Sequence, residues 1–153
     1  LRLWLRLLRA SRGIEAELRE RLRLTYDVTL PQFDVLAALA RRDDGITMTE
    51  LSRYLMVSNG NVTGIIDRLV ERGWVERLAT PGDRRTTRVK RTGKGAREFS
   101  DMAAVHETWV DEMLGLYSKA EVGDLIGRLD GLVDKLRGRS APAAATLERR
   151  QRK

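Results

Sequence analysis

The stretch Ser58-Asn59-Gly60-Asn61-Val62-Thr63-Gly64-Ile65-Ile66-Asp67-Arg68-Leu69-Val70-Glu71-Arg72-Gly73 decides the fold. Its apolar residues stand at 62, 65, 66, 69 and 70, the i, i+3, i+4, i+7, i+8 stripe of a helix with one buried face. Ser58 suits the N-cap, and Gly73 suits the left-handed position that closes a helix. The other face carries Asn59, Gly60, Asn61, Thr63 and Gly64 on its first two turns, with Arg68 and Arg72 further along. A glycine inside a helix costs about 1 kcal/mol relative to alanine, so two within five positions need a reason. Close approach to another surface is one.

Upstream, Thr47 and Glu50 have capping-box spacing and open a short helix with Leu51 and Leu55 inside, ending in a turn at Met56-Val57. Pro31, after Thr29 and Leu30, opens an earlier helix whose inner face is either Phe33, Leu36 and Ala40 or Val35 and Leu39. That helix stops near Asp43-Asp44-Gly45, where adjacent aspartates suit a solvated loop. Leu1, Trp4 and Leu8, then Ile14, Leu18 and Leu22, place a first helix before it. Its arginines interrupt the apolar run too often for a secretory signal, and a core or dimer helix is favoured over a membrane-surface one. The chain begins at Leu1 rather than Met, so residues before it are expected.

Downstream, residues 74–78 and 86–91 alternate as strands do around Thr80-Pro81-Gly82-Asp83, which reads as a hairpin with Arg84 and Arg85 near its tip. Thr92 caps a long helix through Tyr117, with Phe99, Ala103, His106 or Met102, Val110, Met113 and Leu114 inside. Ser118 and Glu121 open a last helix whose Val122, Leu125, Leu129, Leu132 and Leu136 recur at near-heptad intervals. That stripe is either core or a surface for a second chain. Beyond Gly138 an Ala/Pro-rich basic tail has too little to bury and is expected to be unordered.

Composition narrows function. The 153 residues suit a domain with its own core. With no cysteine and one histidine, disulfides, thiolate sites and multi-histidine metal centres are excluded. No cofactor-binding motif, phosphate loop or nucleophile elbow is present, which argues against an enzyme. The longest run without a charged residue, thirteen from Tyr54 to Ile66, is too short and too polar to span a membrane. The net charge of +7 is segregated: +4 over residues 1–23, −2 over 24–57, +5 over 58–94, −4 over 95–138 and +4 over 139–153. The basic middle is the expected polyanion-binding face.

A capped short helix, a turn, a second helix with a small polar outer face and then a basic hairpin make a winged helix-turn-helix. The major groove, about 12 Å wide, admits one such helix, with its first residues at base edges. Asn59 and Asn61 can pair with adenine, Ser58 and Thr63 can reach bases or phosphates, and Gly60 and Gly64 let the backbone come close. The alternative for Asn59 and Asn61 is ordinary capping and solvation. Arg68 and Arg88 suit either phosphates or surface ion pairs, Arg84 either backbone contact or solvent, and Asp67 a local arginine. An arginine on the hairpin can enter the minor groove, and Asp83 can hold Arg85 by a forked hydrogen bond.

LPQFDVLAAL, MTELSRYLMVSNGNVTGIIDRLVERGWVERL and TPGDRRTTRVKRTGKG resemble the multiple-antibiotic-resistance-regulator (MarR) family of bacterial transcription factors, over about residues 5–138. The resemblance implies a mainly helical, intertwined homodimer with a small β-hairpin wing. Residues 1–28 would be an N-terminal dimerisation helix, 29–95 the DNA-binding lobe, 96–138 C-terminal dimerisation helices and 139–153 the basic tail. Leu1, Leu8, Leu125, Leu129, Leu132 and Leu136 would then lie at the dimer interface. Arg85 would be the minor-groove arginine and Asp83 its support. The function implied is a cytoplasmic repressor of an inverted-repeat operator, released by a small, anionic aromatic ligand. Candidates for the effector pocket are Trp4, Phe33, Leu36, His106, Trp109 and Met113 with Arg9 or Arg12, although such residues more often form core. Members that sense peroxides use a reactive cysteine, which this chain lacks. The alternative function is a winged-helix protein-interaction module without ligand sensing.

Overall fold

A computed structural model of the chain describes residues 1–56, 58–80 and 83–150; the side chains of residues 59, 80, 83–86 and 139–150 lie outside the description. Two units, residues 1–112 and 113–153, are distinguished. The elements run α1 (Arg2–Tyr26), α2 (Leu30–Ala40), β1 (Ile46–Thr47), α3 (Met48–Leu55), α4 (Asn59–Glu71), β2 (Val75–Thr80), β3 (Asp83–Arg91), α5 (Gly93–Leu114) and α6 (Lys119–Arg150). Among the described residues no helix is long and apolar enough to cross a membrane.

Local capping sets the helix starts. At α2, Thr29 Oγ1 accepts from the Gln32 amide at 3.4 Å while Gln32 Oε1 accepts from the Thr29 amide at 2.9 Å, and Pro31 occupies the first turn. At α3 the same box joins Thr47 and Glu50; the Thr47 amide and hydroxyl donate to Glu50, holding its carboxyl below the usual range. Met56 ends α3 in the left-handed region at φ 52°, and Gly73 follows α4 at φ 69°.

The two faces considered for α2 are both inside: Phe33, Val35, Leu36, Ala38 and Leu39 are all buried. α2 is therefore the central helix of the first unit, which explains its near-continuous apolar sequence. Leu51 of α3 and Val62, Ile66 and Leu69 of α4 have no exposed surface and pack in the same cluster, with Leu22, Val28, Trp74, Val75, Val89 and Met102. Each such aliphatic side chain contributes about 1.5–3 kcal/mol of transfer free energy. On α1 only Leu18 and Leu22 are buried, while Leu1 (93% exposed) and Trp4 (61%) stand clear.

The hairpin gains a third strand that the sequence did not suggest. β1 pairs antiparallel with β3, Ile46 opposite Val89 and Thr47 opposite Arg88, giving the order β1-β3-β2. Two residues are too few to show alternation. Gly45 makes this junction possible: its φ is 79°, and a Cβ there would lie 2.7 Å from the Val89 carbonyl oxygen.

α5 ends at Leu114, three residues before the expected Tyr117, whose amide donates to the Leu114 carbonyl in a closing turn. Of its expected inner residues Met102 is fully buried, and Phe99, Ala103, His106 and Val110 are half-buried. In the second unit, Ser118 and Glu121 form the expected capping box at the start of α6. Leu125, Ile126, Leu129, Leu132, Val133 and Leu136 are each between 40% and 56% exposed along it. The α6 backbone is helical through Arg150, past the Gly138 at which order was expected to end; residues 151–153 lie outside the description.

Candidate nucleic-acid interface

α3, the turn and α4 form a helix-turn-helix. Ser58, extended at φ −67° and ψ 152°, caps α4, its Oγ accepting from the Asn61 amide at 3.4 Å. The apolar stripe is turned into the core, so Gly60, Asn61, Thr63, Gly64 and Arg68 face outward and are exposed. A Cβ built at Gly60 or Gly64 meets nothing within 4 Å. Nothing described within the chain therefore requires glycine at either position. Asn59 begins the helix, but its side chain lies outside the description.

Beside this face runs a groove of about 420 Å³ between the start of α2 and α4, lined by Thr29, Pro31, Gln32, Gly60, Asn61, Gly64, Ile65 and Arg68. The wing follows from β2 and β3, paired in register from Val75 opposite Arg91 to Ala79 opposite Thr87, with an irregularity between Ala79 and Thr80. Pro81 and Gly82, and the side chains of Asp83, Arg84 and Arg85, fall outside the description.

One charge pair ties the helix to the wing, and a second ties the wing to the turn before β1. Asp67 on α4 accepts from Arg77 on β2 at 2.6 Å, which gives Asp67 the local arginine expected of it. Arg88 points inward: its Nη2 donates to Asp44 Oδ2 and to the Gly45 carbonyl, each at 2.7 Å, and its Nε to the Asp44 carbonyl at 3.1 Å. Of its two expected roles, the ion pair is the one in place, and Asp44 is a partner rather than a merely solvated loop residue.

The effector candidates separate into groups. Phe33 stacks on His106 at 4.5 Å between ring centroids and lies 5.4 Å from Phe99, with burial holding the His106 pKa below its usual value. Trp109 packs against Tyr26 at 6.3 Å with the Arg21 guanidinium 5.8 Å from its ring centroid. Leu36 is wholly buried in the core. Trp4, Arg9 and Arg12 lie on the exposed part of α1, and among the described residues no ring or charge contact joins them to Phe33 and His106. Met113 belongs to the second unit.

A family model of the MarR family matches residues 26–86. The chain is 31% identical over 143 residues to the transcriptional activatory protein BadR of Rhodopseudomonas palustris, covering 89% of this chain and 77% of that one. Against Escherichia coli MarR it is 47% identical over 70 residues, 46% of this chain and 48% of the relative. A mutant E. coli MarR complexed with operator DNA superposes with a TM-score of 0.76 at 32% identity, over 86% of this chain and 94% of that one. The chain belongs to the MarR family. Its sequence alignments span about half of E. coli MarR and 66% of the transcriptional regulator PecS of Dickeya dadantii, to which it is 29% identical.

In this MarR-family chain Thr92 caps α5 as its sequence suggested, and what sequence reasoning missed lies behind the reading face, where Thr92 and Lys94 reach the end of α4. Thr92 Oγ1 donates to the Gly73 carbonyl at 2.7 Å and accepts from the Gly95 amide at 3.0 Å, so one side chain caps α5 and clasps the end of α4. Lys94 Nζ donates to the Arg72 carbonyl at 3.0 Å. The signal was present in Thr92-Gly93-Lys94-Gly95, whose two glycines so close to a helix start had no local explanation.

Proposed function

We propose that this MarR-family chain is a homodimeric transcriptional repressor that reads an inverted-repeat DNA operator with α4 and the wing and is released by a small anionic aromatic ligand. The observation that carries the reading is the exposed, small-residue face of α4, where Gly60 and Gly64 serve no packing within the described residues. Glycines retained there at a cost of about 1 kcal/mol each suit a backbone that must approach another surface closely.

Asn59 and Asn61 pair with adenine edges, Ser58 and Thr63 reach bases or phosphates, and Arg68 meets a phosphate at the rim of the groove. Arg85 enters the minor groove, steadied by Asp83, with Arg84 on the flanking backbone. Arg88 contributes by fixing β3 to the turn before β1, which positions the wing. Dimerisation through Leu1, Leu8, Leu125, Leu129, Leu132 and Leu136 is supported by the apolar surface left open on α1 and α6. It places two reading helices about 34 Å apart, one turn of DNA. The half-buried His106 and Trp109 rings, backed by the buried Phe33, are the aromatic surface favoured for the ligand; Arg9 and Arg12, on the exposed part of α1, would have to supply charge from outside it. The protein acts in the cytoplasm, without metal or cofactor.

Selection from a random duplex library, followed by affinity measurement at rising salt, tests this. Recovery of an inverted repeat bound at least 100-fold more tightly than scrambled duplex, with a steep loss of affinity as salt rises, is expected. Equal affinity for both duplexes would overturn sequence-specific reading and favour the protein-interaction module. Failure of aromatic acids to release bound duplex would remove the ligand from the scheme.

A further inference from the structure

We infer that Arg72 and Asp27 form a latch that sets the angle of α4 against α1, and with it the half-site spacing a dimer accepts; the inference rests on the operator-reading function proposed above. Arg72 is the C-cap of α4. Its Nη2 donates to the main-chain oxygen and to Oδ2 of Asp27, each at 2.6 Å, and its guanidinium carbon lies 5.0 Å from the Trp74 ring centroid. Two acceptors on one nitrogen and an aromatic face thus hold the guanidinium, a combination that an uncharged side chain cannot reproduce.

Asp27 is itself an unusual choice. It ends α1 at φ 52° and ψ 41°, the left-handed region in which glycine would be unstrained, and its side chain is 92% exposed. Its backbone amide closes α1 on the carbonyls of Leu22 and Arg23, which any residue could do. What glycine would lose is the carboxylate, the charged half of the hold on Arg72, while the main-chain oxygen would remain.

The lever is long. α4 has thirteen residues, Asn59–Glu71, and is pinned near its C-terminus while its N-terminus reads DNA. A tilt of about 10° about one end of a helix about 20 Å long moves the other end about 3.5 Å, close to one base-pair step. The Lys94 and Thr92 bonds fix the same end of α4 to α5, so the Asp27 bond is the member of this set that refers α4 to α1. Arg72 is a positioning residue, acting on α4 without touching the bases.

The test measures affinity of the full chain for the selected inverted repeat and for versions with one base pair added to or removed from the spacer. Wild type is expected to lose at least tenfold on either change. Asp27→Gly removes the carboxylate while relieving the backbone, so its melting temperature should hold or rise, yet the spacing penalty should shrink to threefold or less. Arg72→Met, which removes the donors and the charge, should shrink the penalty likewise. A penalty as large as wild type in both variants, even with affinity lowered alike on all three duplexes, overturns the latch. If wild type itself shows no preference for an inverted repeat, the operator-reading function fails, and the latch falls with it.

Discussion

Arg88 and Asp44, forty-four residues apart in sequence, meet at 2.7 Å and lock the last long strand of the wing onto the turn that precedes β1. The same guanidinium takes the carbonyls of Asp44 and Gly45, so it is saturated from one side. Both side chains retain solvent access, which limits the charge pair alone to about 1 kcal/mol or less. Its effect on DNA should therefore be mechanical. Arg88→Ala is expected to lower stability by about 1–2 kcal/mol with the added loss of carbonyl bonds, and to weaken operator binding with an unchanged salt slope. Arg68→Ala should instead reduce the slope by about 0.9, the value for one phosphate contact. Titrations at four or five salt concentrations separate the two.

Gly64→Ala should raise stability by about 0.5–1 kcal/mol, since the added methyl meets nothing within 4 Å and the helix gains propensity. Operator affinity should fall at the same time. Thermal unfolding and binding measured on one preparation would move in opposite directions, and a variant that binds as wild type would leave the glycine unexplained by DNA approach.

The two glycines of Thr92-Gly93-Lys94-Gly95 should behave differently. A Cβ at Gly95 would stand 1.9 Å from the Trp74 carbonyl oxygen, whereas one at Gly93 meets only the end of the Arg97 side chain at 3.8 Å. Gly95→Ala must displace backbone and is expected to cost about 3 kcal/mol or more, while Gly93→Ala should change stability by less than about 0.5 kcal/mol. Urea unfolding of both variants checks the contrast.

Asp34 makes no hydrogen bond or ion pair among the described residues, and burial, then the charge of Glu15, raises its pKa above the usual 3.8. The folded state thus holds the proton more tightly than the unfolded one. That contribution to stability is complete below pH 3.8 and is lost as pH rises through the raised value. Asp34→Asn should therefore be more stable than wild type at neutral pH, with the difference vanishing at the acid end. His106 has the opposite sign: its pKa is lowered by burial from 6.5, so its contribution is present above pH 6.5 and lost as pH falls through the lowered value. Unfolding free energies across the pH range, for wild type, Asp34→Asn and His106→Gln, test both signs.

The features legible in the sequence are those made by residues close together along it. The capping boxes at Thr47 and Ser118, the Ser58 cap, the stripe from Val62 to Val70 and the left-handed Gly73 each depend on groups within a few positions. For the same reason, the face that α4 turns outward followed directly from its period. The two alternative faces of α2 were not resolvable, because a helix buried over most of its circumference carries too few polar residues to mark which way it points.

By itself the sequence determined the order of the helices and the hairpin, the capped helix starts and the composition of the reading face, because these rest on backbone periodicity and short-range hydrogen bonds. Only the tertiary structure decided how that face is held. The strand at Ile46, the partners of Arg72 and Arg88, and the reason for Gly95 all depend on chain segments 21 to 45 residues apart. Such pairings form when packing of the core brings the segments together, and no local pattern encodes which of 29 basic residues meets which acid.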